Sequence, residues 1–443
     1  MKIKFIVLIA FLTSLSIFSQ KQWSLKECVD EALAKNISIQ QNKLSLELAK
    51  KDVEISKGNF LPNLSASTSG GFNSGLSSDE NGILKNTNNF SSNVGLSASG
   101  IIFNGFRNTN TYKQAQLGVE TSILNLKNIE NDISLLVVNG YLNILFAKEN
   151  LNAANVQYEI SKKQIEAAES RFKAGVIPKG DLLNAQSTAA SDQQSVITQE
   201  NSLDLALLNL AQLIQVPVAG FDVASINVGS PSAMLLYNNS NLVYQKSLVE
   251  MPEIKRAQLA IENADLNIEI SKGAFLPTLS YSLSSGTSFY HQFNNLLPNQ
   301  TNSSFFGQVE DRLQHGLSLS LSIPIFNRFQ TKNSVAKSYI NKEISETQLE
   351  SEKLSLKQTI EQAFLDVKSA LKSYEVAKIS LAAQKEAFKN GQERYNFGAM
   401  TQFDFDQVRT RLVNAQATLI SSKYDYVFKT KVLQFYAGDL VLE

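Results

Sequence analysis

Two periodicities share this chain. Leu317, Leu319, Leu321, Ile323 and Ile325 alternate with Gly316, Ser318, Ser320, Ser322 and Pro324, the two-residue period of a strand with one apolar face. Val94, Leu96, Ala98 and Ile102 alternate with Asn93, Gly95, Ser97 and Ser99, and Leu279, Tyr281 and Leu283 alternate with Ser280, Ser282 and Ser284. Elsewhere the period is that of a helix. Ile129, Ile133, Val137, Tyr141 and Ile144 form one stripe, and Ile360, Phe364, Val367, Leu371 and Tyr374 step by four and three. Val408, Leu412, Ala415, Leu419 and Tyr426 form a third. Such stripes on long helices joined by tight turns predict antiparallel coiled-coil hairpins. The faces opposite are rich in Gln, Asn, Ser, Lys and Glu, as a wetted wall is.

The pattern predicts a helix over 24–57, opened by Ser24-Leu25-Lys26-Glu27 with the spacing of a capping box, and Trp23 as its staple residue. Strands follow at about 63–76 and 90–103, then a helix over 107–173 and another over 181–214. A second series is a helix over 250–272, strands at about 278–290 and 313–326, and helices over 330–396 and 403–436. A helix of the length of 107–173 spans about 100 Å, wider than an ordinary globular core. Neither long helix contains proline. Gly175 and Gly398 close them where a left-handed cap residue is wanted.

The two series are one sequence written twice. S-K-G-N-F-L-P-N-L-S at 56–65 returns as S-K-G-A-F-L-P-T-L-S at 271–280, an offset of 215. I-F-N-G-F-R at 102–107 returns as I-F-N-R-F-Q at 325–330, and R-F-K-A-G-V-I-P-K-G-D at 171–181 as R-Y-N-F-G-A-M-T-Q-F-D at 394–404, both offset by 223. The eight extra residues enter between 280 and 325 and predict a longer loop there. The first structural repeat is 21–214 and the second 248–443, joined by a segment over 215–247 that lacks a clear period.

Residues 1–20 read as a signal peptide: Lys2 and Lys4 precede an apolar run from Phe5 to Phe18, too short to span a bilayer, with small polar residues at Ser19 and Gln20. No cysteine sits directly after the expected cut, which argues against a lipid anchor there. No later stretch offers 18 apolar residues without charge, so any membrane insertion falls to the strands. At about ten residues they have the length a tilted strand needs to cross a bilayer. Four strands cannot close a barrel, and an open edge is not tolerated in lipid, so two, three or four chains would share one of 8, 12 or 16 strands.

The remaining composition mainly excludes. Lys+Arg and Asp+Glu balance at 41 each, without the basic excess that nucleic acid requires. A single cysteine, Cys28, gives neither a disulfide framework nor metal-ligand spacing and reads as a buried helix residue. His291 and His315 read as solvent-facing polar residues. With no phosphate loop, metal cluster or nucleophile motif, no enzyme and no cofactor is expected. A passive export conduit fits this pattern. So does a structural coiled-coil periplasmic spacer or surface stalk anchored by its strands, and ion conductance separates the two.

The duplicated order of helix, strand, strand, long helix, helix resembles the TolC family of outer-membrane efflux and export proteins. So do S-L-K-E-C-V-D-E-A-L-A-K-N at 24–36, the G-x-F-L-P junctions and the R-[FY]-x-x-G…D turns. The resemblance implies a mainly α fold with membrane β: a homotrimer with a 12-stranded β-barrel, four strands per chain, above a long α-helical coiled-coil barrel in the periplasm. It implies a channel subunit of a tripartite efflux or type I secretion system, in outer-membrane lipid, docked to a periplasmic adaptor (membrane fusion) protein and an inner-membrane pump. The family's gate falls on the turns 171–181 and 394–404. Asp404 matches the first of two pore-ring aspartates; the second falls on Gln407, beside Asp406. Tyr395 and Asp181 match residues that tie the closed entrance, but the arginine of that network falls on Met400. Gly175 and Gly398 match tips that meet the adaptor. Asp181 and Asp404 also suit helix N-caps, and Arg171 and Arg394 suit helix C-termini.

Overall fold

A computed structural model describes residues 21–78, 82, 84–225, 237–294 and 303–439. The expected signal peptide lies outside the described residues, as does 226–236 of the joining segment. The first repeat comprises α1 (Leu25–Lys35), α2 (Ile37–Gly58), β2 (Asn63–Ser78), β3 (Leu84–Phe103), α3 (Arg107–Lys173) and α4 (Lys179–Leu213), preceded by a short β1 (Gln22–Trp23). After β4 (Asp222–Val223) the second comprises α5 (Ser240–Glu250), α6 (Pro252–Gly273), β5 (Thr278–Gln292), α7 (Phe305–Asp311), β6 (Gln314–Ser322), α8 (Gln330–Asn396) and α9 (Gln402–Tyr436). The helix boundaries repeat at offsets of 215 and then 223, residue for residue.

Most differences from the sequence-based expectation have local causes. The helix expected over 24–57 is broken at Asn36, whose side chain accepts from Ser38 N (2.9 Å) and donates to the Leu213 carbonyl (3.0 Å). The helix expected over 250–272 is found as α6, opened by Pro252, and Met251 separates it from a further helix, α5. The second repeat therefore begins inside the segment expected to be a linker. β6 stops at Ser322 because Pro324 has no N–H to give a ladder. Ser304 caps α7 within the longer loop.

The chain divides into two units. One holds, among the described residues, 21–44, 124–255 and 350–439. Its largest core gathers Cys28, Val29 and Ala32 of α1 with Ile133, Val137, Tyr141 and Ile144 of α3 and Leu210 of α4. Ser24 and Glu27 form the expected capping box. Trp23 belongs to β1, paired parallel to β4, and its ring lies 6.2 Å from that of Phe221. Cys28 is buried, and desolvation pushes its thiol up to about 12. Tyr141, wholly buried, donates its hydroxyl to the Ala224 carbonyl (2.6 Å), with the Trp23 carbonyl at 3.2 Å. Tyr141→Phe leaves those carbonyls short of a donor and is expected to cost about 1–2 kcal/mol, measured as a lower urea midpoint at unchanged slope.

The other unit, 45–123 and 256–349, holds one antiparallel sheet of order β2-β3-β5-β6. Its central pair, β3 and β5, comes from different repeats. Rows across the sheet fix its two faces. Leu64, Ala98, Leu283 and Leu317 are neighbours on one; Ser65, Ser97, Ser284 and Gly316 on the other, as are Asn63, Ser99, Ser282 and Ser318. A register shift between Ile101 and Phe103 restores Phe103 to the apolar row with Leu279. His291 departs from the solvent-facing expectation: it is half-buried on the apolar face, 4.8 Å from the Phe293 ring and stacked at 6.3 Å on Phe289. His315 is exposed.

β5 outruns β6 by six residues, and α7 flanks that stretch. Gln308 is buried and accepts from Tyr290 N (3.0 Å), Thr287 donates to the Val309 carbonyl (2.8 Å), and Phe305 packs 5.0 Å from Phe289. Below the sheet the two repeats cross at Gly105 and Gly273, so closely that a Cβ on Gly105 would lie 2.2 Å from the Gly273 carbonyl oxygen. Gly105 and Phe106 are both left-handed (φ +70° and +61°), as are their counterparts Arg328 and Phe329 (φ +54° and +62°). Gly58, the counterpart of Gly273, has nothing within 4 Å of its would-be Cβ among the described residues, and Arg328 is exposed.

Candidate functional site

The site lies at the two hairpin turns of the helical unit. α3 ends with Gly175 at φ +72°, where Val176 N donates to the Arg171 carbonyl and Gly175 N to that of Phe172 (both 2.9 Å). α8 ends alike: Gly398 is at φ +72°, Ala399 N donates to the Arg394 carbonyl (2.8 Å), and Gly398 N to that of Tyr395 (3.1 Å). These paired bonds are the Schellman closure, and glycine meets its left-handed requirement without steric cost. Val176, Phe397 and Phe403 project exposed from the turns.

Asp181 and Asp404 are not the N-caps that local pattern suggests. Pro178 and Thr401 take those positions, and each aspartate sits in the first turn, where the helix dipole favours a carboxylate. Thr401 Oγ1 accepts from Asp404 N (3.2 Å) and donates to Asp404 Oδ2 (2.7 Å).

An open groove of ≈ 930 Å³ between the turns is lined by Arg171, Asp181, Tyr395, Gly398, Phe403 and Asp404, among others. The structure thus brings Asp181, Tyr395 and Asp404 together. Tyr395 lies flat on Phe405, ring centres 4.9 Å apart, and the Arg171 guanidinium stands 5.2 Å over its ring. Arg171 also donates to the Asn396 carbonyl (3.4 Å), so it serves the C-terminus of α8 rather than only its own helix. Burial raises the Tyr395 pKa; Arg171 opposes this, while Asp181 and Asp406 add to it.

Asp406 lies elsewhere. Two residues along a helix turn about 200°, so it points away from the groove that Asp404 lines. It accepts from Gln402 Nε2 (3.1 Å), and its buried Oδ1 has no hydrogen-bond partner among the described residues. Burial pushes its pKa up, the Gln402 bond and Arg409 pull it down, and Asp192 pushes it up.

Behind it is a buried polar cluster that the sequence patterns do not reveal. Arg409 of α9 pairs with Asp192 of α4, and its Nη2 donates to Ser161 Oγ of α3 (2.6 Å). Ser161 also bonds Asp192, and the Gln157 amide oxygen, turned to the guanidinium, accepts from Arg409. The one signal was positional: Arg409 falls between the buried Phe405 and Leu412 on the core stripe of α9.

Residues 28–215 and 243–439 match the family described as Outer membrane efflux protein. The Escherichia coli (strain K12) outer membrane protein TolC is 23% identical over 437 residues, covering 97% of this chain and 85% of that one. The cation efflux system protein CusC of the same strain is 22% identical over 415 residues, covering 90% and 83%. The crystal structure of the Campylobacter jejuni CmeC outer membrane channel superposes with a TM-score of 0.74 at 20% identity, covering 95% and 86%. With both repeats matched and the fold shared, the chain belongs to the outer membrane efflux protein family, a group of outer-membrane channels that extend into the periplasm.

Proposed function

We propose that three copies of this chain close a 12-stranded barrel and act as the passive outer-membrane conduit of a tripartite efflux or type I secretion system. The two-faced sheet with two open edges carries the proposal. Its Leu, Val and Phe rows suit lipid, its Ser, Asn and Gly rows suit a wet pore, and among the described residues no strand pairs with the outer sides of β2 and β6. The open counterparts Gly58 and Arg328 support the same reading, because one repeat's contact is made within the chain and the other's is left for a neighbour. Relatives named for efflux and for secretion share the architecture, and an inner-membrane pump with a periplasmic adaptor supplies the energy. Gly175 and Gly398, flanked by exposed Val176 and Phe397, form the adaptor-contact tips. The test is bilayer conductance of the detergent-extracted protein beside its mass: discrete openings from a three-chain species support the conduit, a silent trimer fits a tightly closed gate or an anchored stalk, and a water-soluble monomer without bilayer activity overturns the membrane reading.

At the entrance, Asp404 with Asp181 and Tyr395 forms the aperture, and Asp404 supplies an acidic ring across the trimer that favours cations. Asp404→Ala is expected to lower the cation-to-anion permeability ratio severalfold, read from reversal potentials in a salt gradient. Asp406→Ala is expected to act more weakly, because its carboxyl is half-buried. If the double variant keeps the selectivity of the unaltered channel, the acidic ring is wrong.

A further inference from the structure

We propose that Arg409 and Asp192 pin the two hairpins of each chain together, so that movement at the entrance is confined to the helix segments on the tip side of that pair. The inference rests on the channel reading and goes beyond it by naming where the movement stops. One charge stands on each hairpin: Asp192 on α4 and Arg409 on α9, with Ser161 and Gln157 of α3 completing the hydrogen bonds. The Arg409 side chain is only 5% exposed. A buried pair adds little net stability, but separating it leaves an uncompensated charge in the interior, which is strongly unfavourable. Two hairpins held only by Leu, Ile and Ala stripes can slide and repack with modest loss. At the Arg409–Asp192 contact they cannot.

The duplication sharpens the point. The offset of 223 puts Gln186 in the place of Arg409 and Ala415 in the place of Asp192, with Gln384 in the place of Ser161. In the proposed trimer, the equivalent contact to the next chain therefore has no charge pair. Each chain is pinned internally and unpinned from its neighbour. The pin lies about 20 Å along α4 and about 10 Å along α9 from their first residues. Tyr395, Phe405, Asp181 and Asp404 are on the tip side of Arg409 and Asp192 in their helices or in the turns, where Tyr395 stacks on Phe405 and Asp404 bonds its own cap residue, Thr401. Arg409 and Asp192 are positioning residues: they touch no exported substrate, and they set how far the groups that do can move.

Amide hydrogen exchange of the intact protein in detergent tests this directly. Segments 179–190 and 402–408 should exchange at least tenfold faster than 193–205 and 410–422, with the step at Asp192 and Arg409. Asp192→Ala and Arg409→Ala should move that step away from the tips and raise single-channel conductance at least twofold. The charge-exchanged Asp192→Arg/Arg409→Asp chain should restore both toward the original. A flat profile in the unaltered protein overturns the pin, as do single variants that keep the original profile and conductance. An exchanged pair that restores nothing assigns the effect to lost packing and overturns it too. Should the single variants fail to fold, the profile of the unaltered protein still decides. An unaltered protein that never conducts sinks the channel reading instead, and leaves the exchange step to be judged by itself.

Discussion

Gly105→Val is expected to abolish accumulation of folded protein, with a loss of about 3 kcal/mol or more. Two independent penalties meet at this position. A β-branched residue is strongly disfavoured at φ +70°, and its Cβ would sit 2.2 Å from a backbone oxygen that belongs to Gly273. Neither the turn nor the helix end opposite can yield, because Arg107 closes on Asn104 (3.0 Å) and lies against the Gly273 position. Gly58→Val is the informative companion. Among the described residues nothing lies within 4 Å of its would-be Cβ, so the chain should keep its helicity by circular dichroism. In the proposed assembly its neighbour is the 327–329 turn of another copy, so the mass in detergent should fall from three chains toward one. Because Arg328 carries a Cβ, that crossing between chains must be wider than the Gly105–Gly273 crossing within one. If Gly58→Val assembles normally, the pseudo-equivalence of the two crossings is wrong.

Leu319→Arg is expected to cost about 2–4 kcal/mol of barrel stability, whereas Ser320→Arg is expected to be tolerated. The two residues are adjacent, yet they stand on opposite faces of β6: Leu319 in the row of Gly100 and Tyr281, Ser320 in the row of Ile101 and Ser280. In the proposed barrel the first meets hydrocarbon and the second meets water. Heat-modifiable mobility on gels measures the folded fraction of each variant, and conductance measures the pore. Ser320→Arg should fold and reduce cation conductance, since the charge would line the lumen. The opposite result would turn the barrel inside out.

The long helices were legible because their signals are local: a glycine at each end turn, no proline between, and stripes such as Ile133-Val137-Tyr141 that turn out buried. The strands were legible only where leucines alternate. β2 and β3 continue to Ser78 and back from Leu84 through Asn86, Asn88 and Asn89, residues polar on both faces, where Ser74 donates to Asn88 (2.6 Å) and Asn73 to Asn89 (3.3 Å) across the ladder in place of an apolar alternation. α5 was missed because only Val243 and Ser247 on it are buried, too few to print a period. Asp181 and Asp404 suited helix N-caps by local pattern, but the cap positions fell three residues earlier, to Pro178 and Thr401, and left each aspartate in the first turn. Arg409 and Asp192 are 217 residues apart. No spacing rule joins them; only the folded hairpins do.

A chain bound for the outer membrane carries its sheet edges with it, and a strand with bare amides is a hazard on that journey. Here the second repeat is economical. Where β5 runs on past β6, the buried carboxamide of Gln308 accepts the Tyr290 amide proton, and α7 lies along the stretch in place of a strand. The helix that takes the place of a strand here thus shortens the adhesive rim that an unassembled subunit presents. Gln308→Ala would bare the Tyr290 amide again, and with it open a route to off-pathway aggregates.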